Sequence, residues 1–164
     1  MSGRRLLWVV APLLAALVWW SSERAYDRLR ASVVLQGAES QGARIAAQWS
    51  RLGPQARPLV TAHLQALRAV RELAPADARV PLAIGSHYLL LENATSATEW
   101  YRRALAVEPR AEIYLNLGRA ALLAGDRPAA LEHFRTAIRL DRSFRRSLPP
   151  DVAEELATEA SSGR

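Results

Sequence analysis

The stretch DARVPLAIGSHYLLLENATSATEWYRRALAVEP, residues 77–109, and the stretch AEIYLNLGRAALLAGDRPAALEHFRTAIRLDR, residues 111–142, are one pattern written twice. Sliding the chain on itself by 33 places Gly85 on Gly118, Ala97 on Ala130, Tyr101 on Phe134 and Ala104 on Ala137, with apolar Ile84 and Leu117 before each glycine. Self-similarity at a fixed period of this size is the mark of a repeat array. Each copy reads as two apolar-periodic segments joined by a turn, at 91–94 in the first and 124–127 in the second, and closes near Pro109 or Asp141. The small residues fall where the two helices of one unit must approach closely, and the aromatics fill the space beside them.

These residues resemble the tetratricopeptide repeat, a 34-residue helix-turn-helix. The second copy carries the resemblance through Leu117, Gly118, Ala130, Phe134, Ala137, Leu140 and Asp141; the first through Gly85, Tyr88, Ala97, Tyr101, Ala104 and the closing Pro109. The departures are Arg142 in place of a closing proline and a linker after Pro109 that is one residue short. The resemblance implies an interaction surface without chemistry. It also implies that the first helix of each copy lines a concave groove, formed by Arg79, Leu82, Ser86 and Leu89 beside Glu112, Leu115, Asn116, Arg119 and Leu122. Leucines flanked by Arg79 and Arg119 suit an extended or helical peptide with an apolar anchor and a carboxylate. The family's clamp for chaperone tails needs a basic residue and an asparagine where Leu82 and Ser86 stand, which sets that ligand class aside.

With 164 residues, half of them apolar, the chain has room for one ordinary domain with a packed core. It has no cysteine, which removes disulfides, thiolate metal sites and cysteine nucleophiles together. All 22 basic residues are arginine, a bias that sits with heavy alanine and leucine use and reads as a GC-rich bacterial genome. The charge is uneven: residues 1–74 hold ten arginines against four acids, and the two copies are close to neutral.

Arg4 and Arg5 precede fifteen residues, 6–20, without charge. At 1.5 Å per residue the run is about 22 Å long, short of a hydrocarbon layer of roughly 30 Å, but Ser21 and Ser22 lengthen it and the arginines can snorkel. Trp8, Trp19 and Trp20 suit interfacial belts, and Pro12 is tolerated in a membrane helix. A cleaved signal peptide is the alternative reading. Cutting after Ser21 or Ser22 puts Trp19 or Trp20 third from the end, and cutting after Ala25 puts Glu23 there, so an uncleaved signal anchor is expected. Arg24, Arg28 and Arg30 balance the charges on the other flank, but a short flank with paired arginines places the repeats outside the cytoplasm.

Tyr26, Leu29 and Val33, then Ile45, Trp49 and Leu52, recur at helical spacing, with Gly37 and Gly42 marking the cheapest place for a bend and Gly53-Pro54 the stop. Residues 58–74 read as a further helix with Leu64, Leu67, Val70 and Leu73 on its buried side; together with Trp49 it covers the open end of the first copy. Asp151 and Glu154 after two prolines start a short capping helix carrying Val152 and Leu156, with Glu155 and Glu159 facing water and a disordered tail from Ser161. The expected fold is thus all-α: a transmembrane segment over 1–22, a helical stalk over 23–53, a half-repeat helix over 54–76, two repeats, and a capping helix and tail over 143–164.

Chemistry finds little support. His63, His87 and His133 lie one per expected helix without a second ligand at i+3 or i+4, so no metal site is expected. Ser86 and His87 point to different helix faces, no Gly-rich phosphate loop follows a strand, and Asn93-Ala94-Thr95 reads as turn chemistry. No catalytic residue, cofactor or small-molecule substrate is expected. Arg102-Arg103 and Arg139, Arg142, Arg145, Arg146 form basic clusters near Tyr101 and Phe144, but the near-neutral repeats argue for solvated faces rather than nucleic acid. The chain resembles small anchored repeat proteins of bacterial envelopes. The function read from it is a scaffold in the inner membrane, its repeats on the periplasmic side, that docks a protein through the groove. A non-catalytic subunit embedded in a membrane enzyme through its N-terminal helix is the alternative.

Overall fold

The structure, a computed structural model, describes residues 3–73 and 75–162. The side chains of residues 1–12 and 14–16, and those of Arg28, Gln48, Ser50, Pro54, Leu73, Ala160 and Ser162, fall outside the description, so the anchoring roles read for Arg4, Arg5, Trp8 and Pro12 lie outside the described residues. Among the described residues seven α-helices follow one another: α1 (Gly3–Leu52), α2 (Arg57–Leu73), α3 (Arg79–Leu90), α4 (Ala94–Val107), α5 (Ala111–Leu123), α6 (Arg127–Leu140) and α7 (Pro150–Ser162). Short 3-10 turns at Gly53–Ala56 and Arg142–Ser147 connect α1 to α2 and α6 to α7. No strand occurs among the described residues.

Helices α3 and α4 form one hairpin and α5 and α6 the next, and the two hairpins stack through α4 on α5. The turns explain why each pair folds back at that point. Glu92 and Gly125, 33 apart, both take a left-handed backbone (φ 59° and 78°), and the amides that follow return to carbonyls of the preceding helix. Asn93 and Asp126 then cap the second helices by accepting from the amides of Ser96 and Ala129. Inside each hairpin the aromatic ring of the second helix lies flat on the glycine of the first. A methyl group on Gly85 would stand 2.6 Å from Tyr101 Cε1, and one on Gly118 equally close to Phe134 Cε1. Ala97, Ala104, Ala130 and Ala137 are fully buried around these contacts, whereas Pro109 is exposed and acts only by ending its copy.

The N-terminal third departs from expectation. Helix α1 runs 50 residues, about 75 Å, and continues unbroken through Gly37, Gly42 and the junction of the expected anchor and stalk, as a stalk continuing the anchor helix would. Its second half is a packing helix. Ala31, Leu35 and Ala38 form one apolar cluster with Leu64, Leu67 and Val70 of α2, Val80 and Ile84 of α3, and Trp100 of α4. Helix α2 is therefore half of a complete pair with α1, not a lone half-repeat. The physical reason is the spacing of those α1 residues, three and four apart, which makes one buried stripe. Toward its start α1 exposes Leu13, Leu17, Trp19, Trp20, Tyr26, Leu29 and Val33. Among the described residues no helix is long and apolar enough to cross a membrane.

The core is divided along the stack. A second cluster joins Leu82, Tyr101, Ile113 and Leu117 across α3, α4 and α5, and a third joins Leu115, Phe134, Leu148 and Val152 across α5, α6 and α7. Helix α7 closes the far end, tied down where Arg127 pairs with Asp151 at 2.8 Å and with Glu155 at 2.7 Å. Glu159 faces water as expected while meeting Arg135, and Glu155 is half-buried where it meets Arg127. The tail expected from Ser161 is helical through Ser162, and its last two residues lie outside the described set.

Candidate protein-binding groove

Four of the nine groove residues converge on one open cavity of about 460 Å³. Arg79, Leu82 and Ser86 of α3 and Glu112 of α5 line it, together with Ala83, His87 and Arg110. Its far wall is Glu39, Gly42 and Ala43 of α1. A larger cavity of about 830 Å³ continues from it through Arg79 and Arg110 to Asp77, Glu108, and Arg24 and Asp27 on α1. The concave side is thus a trough between α1 and the repeat helices. The α1 residues in its wall were not read from the sequence, because nothing local tells a helix which distant face it will flank. Gly42 carried the one available signal: an added Cβ there would stand 3.0 Å from the His87 ring, so the glycine permits α1 to approach α3.

The groove leucines are less displayed than expected, Leu82 touching the cavity only from within the core. Leu82 and Leu115 were expected on display; both are buried core, in the second and third clusters. Leu89 and Leu122 are half-buried against those same clusters. The reason at the far end is the cap: Leu148 and Val152 pack with Leu115 and Leu122, filling the part of the groove that copy two was expected to offer. Asn116 is buried, and its side-chain oxygen accepts from Arg119 at 3.0 Å. Arg119, expected to meet a ligand carboxylate, also donates to the Ser147 carbonyl at 3.3 Å.

The trough's charges are largely matched. Arg79 holds Asp77 in a two-nitrogen grip, with Nη2 at 2.6 Å, and Arg110 meets Glu108 at 3.1 Å. The bonds from Arg79 keep the Asp77 carboxyl below its ordinary range. Glu39 goes the other way, raised by its own burial against the opposing pull of Arg79. Ser86 donates to the Leu82 carbonyl and accepts from the Tyr101 hydroxyl at 3.3 Å; burial pushes that phenol up to about 12. Neither group is poised for proton transfer near neutral pH.

The histidines correct the sequence reading. Expected to be isolated, His63 of α2 and His87 of α3 meet at the junction of α1, α2 and α3, with ring centroids 5.5 Å apart and His87 Nε2 3.4 Å from His63 Nδ1. His87 Nδ1 donates to the Ala83 carbonyl at 2.8 Å, which leaves Nε2 to accept from His63. Burial lowers both from the usual imidazole range, and His63 adds to the lowering of His87. No group of three or more metal-ligating side chains is found among the described residues.

Residues 111–144 match the family model for the tetratricopeptide repeat, which supports the resemblance read from the second copy and with it a role in binding another protein. The comparison with curated proteins gives no match.

Proposed function

We propose that the chain is a non-catalytic protein–protein interaction module, tethered to a bacterial inner membrane through residues 6–20, whose helical pairs lie on the periplasmic side and dock a segment of a partner protein. The carrying observation is the trough that brings Arg79, Leu82, Ser86 and Glu112 opposite Glu39 and Ala43 of α1. Its two arginines, Arg79 and Arg110, are already paired within the chain, so recognition there rests on shape and on backbone or polar contacts rather than on a ligand carboxylate. Tethering confines the trough to a thin layer above the bilayer, and the raised effective concentration lets weak contacts suffice.

The test is site-specific photo-crosslinking in cells with the full chain. A crosslinker at Ala43 or Ser86 is expected to give one discrete adduct in the membrane fraction, whereas the same group at Arg102, on the exposed side of α4, gives none. Adducts at all three positions, or at Arg102 alone, overturn the groove. The second reading, an accessory subunit of a membrane enzyme held by its N-terminal helix, is favoured by the exposed Tyr26, Leu29 and Val33 of α1. It is distinguished by a crosslinker at Leu29 that captures a protein while Ala43 and Ser86 capture nothing.

A further inference from the structure

Arginines distribute unevenly once their partners are assigned. In the trough Arg79 and Arg110 are matched by Asp77 and Glu108, with Glu39 and Glu112 beside them. At the other end of the stack, a cavity of about 840 Å³ opens between α6, the 3-10 turn at Arg142–Ser147 and α7, lined by Arg135, Ile138, Arg139, Arg142, Arg145, Leu156 and Glu159. Glu159 pairs with Arg135, and among the described residues Arg139 reaches the Thr136 hydroxyl at 3.5 Å and no acid. Among the described residues Arg142 and Arg145 meet no acid. Among the described residues, three guanidinium groups thus surround one cleft whose lining carboxylate, Glu159, is engaged by Arg135.

The floor of the cleft narrows the choice of ligand. Ile138 and Leu156 are half-buried, each packed on the third apolar cluster, and present apolar surface between the arginines. A small inorganic anion would use the charge and leave that surface unfilled. Nucleic acid bound as a single strand is held largely by stacking on aromatic side chains, and among the described residues no aromatic lines the cleft. An acidic peptide segment with one aliphatic side chain fits both features: carboxylates on the arginines in charge-assisted bonds, and the aliphatic group on Ile138 and Leu156.

We propose that this C-terminal cleft is a second docking site, separate from the trough, for an acidic linear segment of a partner protein with an aliphatic anchor. Two sites at opposite ends of the stack let one chain hold two segments at once, or two parts of one partner. Because Arg139, Arg142 and Arg145 are exposed, charge reversal there leaves the core untouched.

The test uses the full chain in mild detergent and fluorescence anisotropy with a labelled peptide of glutamates around one central leucine. Binding is expected, with loss of at least about tenfold for the glutamine counterpart, for the peptide whose leucine is replaced by serine, and for Arg142→Glu/Arg145→Glu at unchanged helicity. Arg102→Glu, a control on α4, and Ser86→Arg, which fills the trough, are expected to leave the affinity unchanged. Loss in Ser86→Arg with binding kept in Arg142→Glu/Arg145→Glu places the peptide in the trough and overturns the second site. Equal binding of the glutamine peptide, equal loss in Arg102→Glu, or tighter binding of labelled polyuridine than of the acidic peptide overturns it as well. If crosslinking at Ala43 and Ser86 fails while this experiment succeeds, the trough reading falls and the cleft stands.

Discussion

At the scale of single residues, equivalent positions of the two copies solve the same problem with different chemistry, and one does so at a cost. The turn between paired helices needs a left-handed residue: the second copy supplies Gly125, the first Glu92. A side chain in that region is strained, whereas glycine enters it freely. Glu92→Gly should therefore raise stability by about 0.5–1 kcal/mol, with the flexibility of the unfolded glycine taking back part of the gain. Chemical denaturation of the two proteins measures this, and a lower midpoint for Glu92→Gly would show that the glutamate is held by something other than its backbone. The glycines at the close contacts were readable in advance, since Gly85 and Gly118 recur against Tyr101 and Phe134 at a constant offset. The left-handed angle at Glu92 was not, because the copies differ there.

At the scale of elements, the parts with a repeating partner in the sequence were legible and the part without one was not. Helices α3 to α6 came from the matched small and aromatic positions, and α7 from its prolines and Val152. In the stretch of α1 read as a stalk the sequence offers Tyr26, Leu29 and Val33 as the apolar stripe, but these are exposed and the buried stripe is the less conspicuous Ala31, Leu35, Ala38 and Ile45. Its burial depends on α2 and α3 and not on any local motif. The trough was half hidden for the same reason, its α1 wall having no signal beyond Gly42. Leu35 separates a packing helix from a free stalk. It is 1% exposed, so Leu35→Ala should cost about 2–5 kcal/mol, while Leu29→Ala, at a side chain 64% exposed on the same helix, should cost under about 0.5 kcal/mol. Matching denaturation midpoints for the two variants would detach α1 from the repeats.

At the scale of the whole molecule, three clusters joined end to end make stability a sum of neighbouring interfaces rather than one core, so weakening one interface can open one end. The interface of α1 and α2 with α3 carries the His63–His87 pair, which gives that end a dependence on pH. Both imidazoles are lowered in the fold by burial, so the folded protein binds fewer protons than the unfolded chain once pH falls below the ordinary imidazole value of 6.5. Stability then rises with pH across that window and is lost on acidification through it. His133, lowered by its own burial, acts in the same sense, and Glu39, raised by burial, in the opposite one from 4.5 upward. Asp77, Asp141 and Asp151 are all lowered from 3.8 and lose their contribution only at more acid pH. The groups facing the pair's side of the trough are Glu39 from α1, Arg79 from α3, Arg110 from the linker and Glu112 from α5. None of these carries a lowered imidazole, so the share of the pair can be isolated by substitution. Denaturation of the native protein at pH 7.5, 6.5 and 5.5 is expected to show falling stability, and His63→Gln/His87→Gln a shallower fall, left to His133 and opposed by Glu39. An equally steep fall in the double variant would mean that acid acts elsewhere on the stack, and that the two rings are packing groups whose protonation the fold does not resist.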